Sequence, residues 1–449
     1  MFAVKEKGLS DRSVRILILL LAISSGIVFS ENSCVCLKSI FNKTSQPISA
    51  QQQNGGEKRI YVAEQRGTIY SYTSSWTGRT LVANLSSKVV YRNDLQDERG
   101  LLGFALHPNF TTNRKFYTYS VRLFNNEQFS FVTEMVIGNN GVADINAEKR
   151  LLVIKQPHEL RNGGQLFFGK DRYLYIAVGD GGVHGEIDAN ATMAQDGSSL
   201  LGKILRIDVD GSHFDPTGST IKGYSNPSDN PFFSNSSVRS EIYATGFRNP
   251  WRCSVDKENG EIYCGDLGSS FQEEIDVLQK GGNYGWNFRE GTKCMMGNCN
   301  NKNDILPIYS YEHGSVGGAV IGGFVYRGST ISYLNGKYLY ADVRRMKMYT
   351  LTKTNNASSS SVLEVCPQNQ CPCDARDKPV LILSFAQDNE GELYLLTTSA
   401  FDGRSVNDPI LRILPKQSGK PGKQGALGLV NRTVELEQRG KTTSHYSDT

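Results

Sequence analysis

Short runs of β-branched and aromatic residues, each closed by a Gly/Asp/Asn turn, recur along the chain, and no helical apolar period interrupts them. The clearest example is the stretch from Asn162 to Asp188, NGGQLFFGKDRYLYIAVGDGGVHGEID. Its composition predicts strands over Gln165–Phe168 and Tyr173–Val178, joined by the turn Gly169-Lys170-Asp171-Arg172. A second tight turn, Gly179-Asp180-Gly181-Gly182, then opens a loop that ends in Glu186 and Asp188. Glycine there lets the backbone turn at positive φ and approach a ligand or a neighbouring chain.

Variants of this hairpin return as KRIYVAEQRGTIY (58–70), NRKFYTYS (113–120), ENGEIYCGDLG (258–268), LNGKYLYADV (334–343) and DNEGELYLLTTS (388–399). Six copies at intervals of about 55 to 90 residues suit one antiparallel sheet per copy. The pattern therefore predicts an all-β chain, a six-bladed β-propeller over residues 58–415. The first and last strands are expected to share a blade, because closure removes exposed sheet edges.

The ends read differently. Lys5, Lys7, Arg12 and Arg15 precede an apolar run from Ile16 to Phe29, the layout of a secretory signal over 1–30 cut near Ser30. That run is shorter than the ~20 residues of a spanning helix, so no membrane span is expected after cleavage. Residues 31–57 are rich in Gln, Ser and Asn and read as a polar, poorly ordered lead-in; residues 416–449 read as a disordered tail. A net charge of +4, from 49 basic and 45 acidic residues, gives no footprint for nucleic acid.

Nine cysteines in a secreted chain predict disulfides. Cys253 and Cys264 fall on adjacent strand segments, and Cys294 and Cys299 share one short loop, so both pairs are expected to be bridged. One pair is expected within CPQNQCPC (Cys366, Cys371, Cys373), while Cys34 and Cys36 flank the mature start. Sequons at Asn42, Asn84, Asn109, Asn190, Asn235, Asn356 and Asn431 fit a glycosylated extracellular surface.

Several ordered blocks resemble the glucose/sorbosone dehydrogenase family. They are Asp97–Pro108 (DERGLLGFALHP), Asn162–Gly182, GKILRIDVD (202–210), YATGFRNPWRCSVD (243–256), CGDLGSSFQEEIDVLQKGGNYGW (264–286) and GGFVYRG (322–328). WRCSVD, IYCGD and the SDNPF of 228–232 are most similar to the Hedgehog-interacting protein-like group within it. The resemblance implies a six-bladed propeller. It also implies a pyrroloquinoline quinone over the axial mouth, a calcium ion polarising it, and a histidine that takes the hydroxyl proton of an aldose sugar.

By the same resemblance, Arg248 and Asn249 stand where the family holds the cofactor, with Arg344 or Arg345 as a further cation from a later blade. Gly268 and Ser269 stand where backbone carbonyls bind calcium, near Glu273 and Glu274, although the family has proline at the position of Ser269. The base is a departure: the family's His-Asn-Gly-Gly reads Arg161-Asn162-Gly163-Gly164. A guanidinium stays protonated and offers no acceptor. His158, three residues earlier, is the nearest substitute.

Two classes of function follow. One is a secreted binding module for an extracellular protein or glycan, with Glu186 and Asp188 in the loop that the Hedgehog-interacting group offers to its partner. The other is a quinone- and calcium-dependent aldose dehydrogenase with a relocated base.

Overall fold

A computed structural model describes residues 34–92, 97–182, 193–211, 213–214, 221–295, 297, 299, 303–354, 358–372, 375–376, 381–399 and 407–417. The signal segment, the loop with Glu186 and Asp188, Cys373 and nearly all of the expected tail lie outside the described residues.

The arrangement is all-β and propeller-like. Among the described residues, four sheets have four strands each, one sheet has nine, and there are two short two-stranded ribbons. Helix is confined to single turns such as Phe110–Asn113 among the described residues. Each of the recurring hairpin motifs places its aromatic-rich strand second in a sheet: Arg59–Glu64, Lys115–Phe124, Leu174–Val178, Ile262–Asp266, Tyr338–Asp342 and Leu393–Thr398. These strands are almost wholly buried because sheets cover both faces, which is why they read as continuous apolar runs rather than alternations.

The first strand of each meander carries the axis. Pro47–Gln52, Leu101–Leu106, Leu166–Phe168, Pro250–Val255, Val320–Val325 and Leu381–Gln387 touch one another in that cyclic order. They approach very closely: a Cβ on Gly103 would stand 2.0 Å from Gly164 O on the neighbouring sheet. Only glycine fits there.

In the nine-stranded sheet, two antiparallel meanders meet at a short parallel contact, Cys34↔Glu364 and Val35↔Val365. Strand Cys34–Thr44 pairs along its length with Asp408–Pro415, so leading and trailing strands do share a sheet. Residues 31–57, expected as a poorly ordered lead-in, thus supply two strands, Cys34–Thr44 and Pro47–Gln52. Their polarity has a structural use. Gln51 lines the axis, where its Oε1 accepts from Leu106 N (2.9 Å) and its Nε2 donates to Phe104 O (3.4 Å), while Val35 and Leu37 are fully buried.

Disulfides Cys253–Cys264 and Cys294–Cys299 form as expected. The bridge expected inside CPQNQCPC does not. Cys366 joins Cys34 and Cys371 joins Cys36, because the leading strand lies alongside that segment and four buried sulfurs meet there. Of the sequon asparagines, Asn42, Asn84, Asn109 and Asn235 are described, and all four are exposed. No helix among the described residues is long and apolar enough to cross a membrane.

Candidate functional site

The polar groups singled out in the sequence stand mostly where first strands begin, here called the near end. The DERG segment leads into Leu101–Leu106: Asp97 clamps Arg99 (Nε to Oδ1, 2.6 Å), which leaves Glu98 to turn toward the next sheet. Glu98 Oε2 accepts from Arg161 N at 2.6 Å and from Asn249 Nδ2 at 3.1 Å. Burial nevertheless holds its carboxyl above the usual range, against the pull of those donors and of Arg248 and Arg161.

Arg161 opens the central hairpin with a left-handed backbone, φ 59°, rare for a non-glycine residue. It is held on both sides, since its N–H meets Glu98 and its carbonyl accepts from Gly181 N at 3.2 Å. The guanidinium is buried, with Nη1 3.3 Å from Asp180 Oδ2. The same Asp180 oxygen accepts from Trp286 Nε1 at 2.7 Å, and Asp180 N donates to Arg248 O at 2.8 Å.

Arg248 and Asn249 lead into Pro250–Val255. Their amides both donate to Asp266, at 2.9 and 2.6 Å, and Asn249 Oδ1 accepts from Gly163 N at 3.1 Å. The Arg248 guanidinium lies 5.5 Å from the centre of the Trp286 ring and donates through Nη1 to Leu267 O; its Nε has no described partner. Desolvation first, and then the charge of Arg161, lower its affinity for its proton, against the opposing pull of Asp180, Glu273 and Asp266. Arg161, Arg248 and Asn249 thus share one network.

The Gly268–Ser269 turn stands beside it. Glu290 Oε1, almost fully buried, accepts from the amides of Ser269, Ser270, Phe271 and Gln272 at 2.8 to 3.0 Å. In a trans peptide the carbonyl points opposite to the following N–H. The carbonyls of Gly268 and Ser269 therefore face away from Glu290, presenting oxygens of the kind a hard cation takes. Gly268 N donates to Glu273 Oε2 (3.3 Å).

His313 was not singled out in the sequence, although it belongs to this neighbourhood. Its Nε2 lies 2.7 Å from Glu273 Oε1. With Nε2 donating to that carboxylate, Nδ1 is an acceptor in the neutral ring and a donor in the protonated one. Arg345 packs behind it, donating to His313 O (3.2 Å) and Gly317 O (3.3 Å), with its guanidinium 4.7 Å from the Tyr311 ring centre. Arg344 is exposed, near Gly317. His158 is exposed as well.

Below the turn, Asp266, Glu274 and Asp276 bring their carboxylates within 4.8 Å of one another, all buried. Glu274 Oε2 and both Asp276 oxygens have no described partner. Burial pushes Asp266 up to about 7, and raises Glu274 and Asp276 well above the carboxylate range, with mutual repulsion adding to it. Glu274 and Asp276 therefore favour their protonated forms.

Residues 45–404 match the family model "Glucose / Sorbosone dehydrogenase". The chain is 30% identical over 438 residues to the HIPL2 protein of Arabidopsis thaliana, covering 81% of this chain and 62% of that one. It is 28% identical to the Hedgehog-interacting protein of Mus musculus, covering 87% of this chain and 54% of the relative. The chain therefore spans about half to six-tenths of the length of these relatives. Among solved structures, the apo-form soluble aldose sugar dehydrogenase of Escherichia coli superposes with a TM-score of 0.64 at 20% identity, covering 85% of this chain and 100% of that one. The PQQ-bound aldose sugar dehydrogenase of Streptomyces coelicolor gives 0.60 at 20%, covering 85% and 98%. Those two likenesses speak for the fold, whereas the match over 45–404 speaks for descent: the chain belongs to the glucose/sorbosone dehydrogenase family.

Proposed function

We propose that this chain is an extracellular six-bladed propeller whose near end binds a ligand without oxidising it. Six blades follow if the nine-stranded sheet is two blades joined at the short parallel contact, as the cyclic order of first strands suggests. An extracellular setting is favoured by four disulfides, exposed sequons and the signal-like leader. The mouse relative's name points to a Hedgehog protein as the kind of partner, and the loop with Glu186 and Asp188 is where we propose that contact.

Arg161 carries the reading. At the start of the central hairpin stands a buried guanidinium paired with Asp180, a group unable to take a hydroxyl proton. The cofactor groups are met in part. Arg248, with Nε unpartnered, and Asn249 can receive one carboxylate, and the Gly268 and Ser269 carbonyls suit calcium. Arg161 is committed to Asp180, so the near end offers enough for a single carboxylate and too few cations for a tri-carboxylate. A bound pyrroloquinoline quinone would supply a hydride acceptor; the chain's own part would be to orient it and move the sugar proton.

A second reading, aldose oxidation, is favoured by His313, whose ring Glu273 fixes and whose Nδ1 can accept a proton when the ring is neutral. One experiment separates the two. The purified chain is given the quinone and calcium, and dye reduction is followed with aldoses. No turnover is expected, whereas Arg161→His restores weak oxidation. Turnover by the unmodified chain that His313→Gln abolishes would replace the binding reading with the enzymatic one.

A further inference from the structure

At the far end of the axis, where the first strands finish, lies a cavity of about 380 Å³. The residues that line it include three cations, Arg252, Lys257 and Lys170, and no Asp or Glu among the described residues. Phe167, Phe324 and Phe385 contribute apolar wall, and Gln and Asn side chains make up much of the rest. The volume is in the range of small-molecule sites.

Arg252 is what makes the cavity unusual. It lies in the first strand Pro250–Val255, is only 4% exposed, and has no ion pair among the described residues. Its Nη1 donates to Leu102 O (3.2 Å), Gln165 Oε1 (3.3 Å) and Trp251 O (3.2 Å), all neutral acceptors. Nε and Nη2 have no described partner, and the Trp251 ring covers the guanidinium at 4.5 Å. Leu102 and Gln165 stand toward the starts of their strands, so the guanidinium closes the cavity on the near-end side. Lys257 donates to Asp388 O and Lys170 to Glu258 O (2.6 Å), which leaves both ammonium groups bonded to neutral carbonyls at the rim. Asp388 and Glu390 offset part of the Lys257 charge.

A buried guanidinium without a counter-charge is costly unless something supplies one. We infer that the far-end cavity is a second binding site, for a small organic anion whose carboxylate or phosphate meets Arg252 and Lys257 and whose apolar body lies against the phenylalanines. This site is separate from the near end and does not depend on the function proposed for it.

Calorimetric titration of the full chain with 2-naphthoate and with neutral 2-naphthamide tests the inference. The acid is expected to bind at least about tenfold more tightly than the amide. Lys257→Gln should weaken naphthoate by about three- to tenfold, and Arg252→Gln should reduce it to the level of the amide. Arg248→Gln removes any naphthoate held at the near end and should leave in place the binding that Lys257→Gln weakens. Equal affinities for acid and amide, or complete loss of naphthoate binding in Arg248→Gln, would overturn the assignment. If Arg252→Gln does not fold, the acid-to-amide ratio and Lys257→Gln decide by themselves.

Discussion

At the near end, Arg161 and Arg248 are set among Asp180, Glu98, Asp266 and Glu273; at the far end, Arg252, Lys257 and Lys170 share a cavity with no described carboxylate in its wall. Both ends are built on the same first strands, so backbone geometry does not separate them. What differs is which turn feeds each end. The near end receives the loops between sheets and those after second strands, which carry DERG, RNGG, GDGG and GDLGSS. The far end receives hairpin turns between first and second strands, such as GKDR (169–172), DKENGE (256–261) and DNEG (388–391), whose acids stay out of the cavity wall. A polar cluster neutralised from within can be kept without a ligand, whereas one left positive calls for a partner.

The strongest way to break the comparison is to open the ring on which both ends depend. Bridges Cys34–Cys366 and Cys36–Cys371 close nearly the same loop, with sequence separations of 332 and 335. Either bridge alone keeps the ring tied, so removing one is expected to cost about 1 kcal/mol or less. Removing both, as in Cys34→Ser with Cys36→Ser, should cost about 4–5 kcal/mol. Urea unfolding of the single and double variants checks this, and additive losses would refute a shared closure.

Asp180→Ala attacks the near end alone. It removes the described carboxylate from the buried Arg161 guanidinium and also strips an acceptor from Trp286 Nε1. Breaking a buried pair from one side costs about 3–5 kcal/mol. A loss below about 1 kcal/mol would mean that solvent reaches Arg161 and that this end is not internally neutralised.

How much of this was legible follows from range. The second strands announced themselves through Tyr340, Tyr263 and their counterparts, since aromatic and β-branched runs report burial locally. Arg248 and Asn249 could be placed because a resemblance covered that block. His313 could not, because its role depends on Glu273, forty residues away on another strand, and a lone histidine carries no local signal. The Cys34 and Cys36 clasp was hidden for the same reason, compounded by a Gln- and Ser-rich segment that looked solvated but lines the axis. Arg252 looked like any cation in an antiparallel strand. What sets it apart is the lack of a counter-charge around it, which only the assembled ring can show.

A pH series sharpens the near-end half. Asp276 holds its proton well above the ordinary carboxylate range, through burial and the proximity of Asp266. In the unfolded chain it ionises near 4. Between that value and the raised folded one, the native state binds the extra proton, so its contribution to stability is present at low pH and is lost as pH rises. An asparagine in its place would not titrate. With chelator present, so that no divalent cation neutralises the cluster, Asp276→Asn should stabilise the protein by about 1–3 kcal/mol at pH 8 and by less at pH 5. Melting curves at both pH values read the difference, and a gap independent of pH would show that the cluster is already neutralised in another way.

The smallest expected effect is the most discriminating. Arg252→Met removes hydrogen bonds to three neutral acceptors, each worth about 1 kcal/mol net, but it also removes a buried charge that has no counter-charge. Loss of hydration alone pulls this arginine down to about 9, which is the mark of a charge that burial opposes and no described carboxylate supports. Met fills similar volume with no charge to desolvate, so the two contributions oppose each other and stability should change by no more than about 1 kcal/mol. Set beside Asp180→Ala, the same class of side chain then gives opposite lessons at the two ends: disturbing the neutralised arginine is expensive, and deleting the uncompensated one is nearly free. If Arg252→Met instead loses as much as Asp180→Ala in urea, Arg252 is a structural tie across the axis, and the far end is as self-sufficient as the near end.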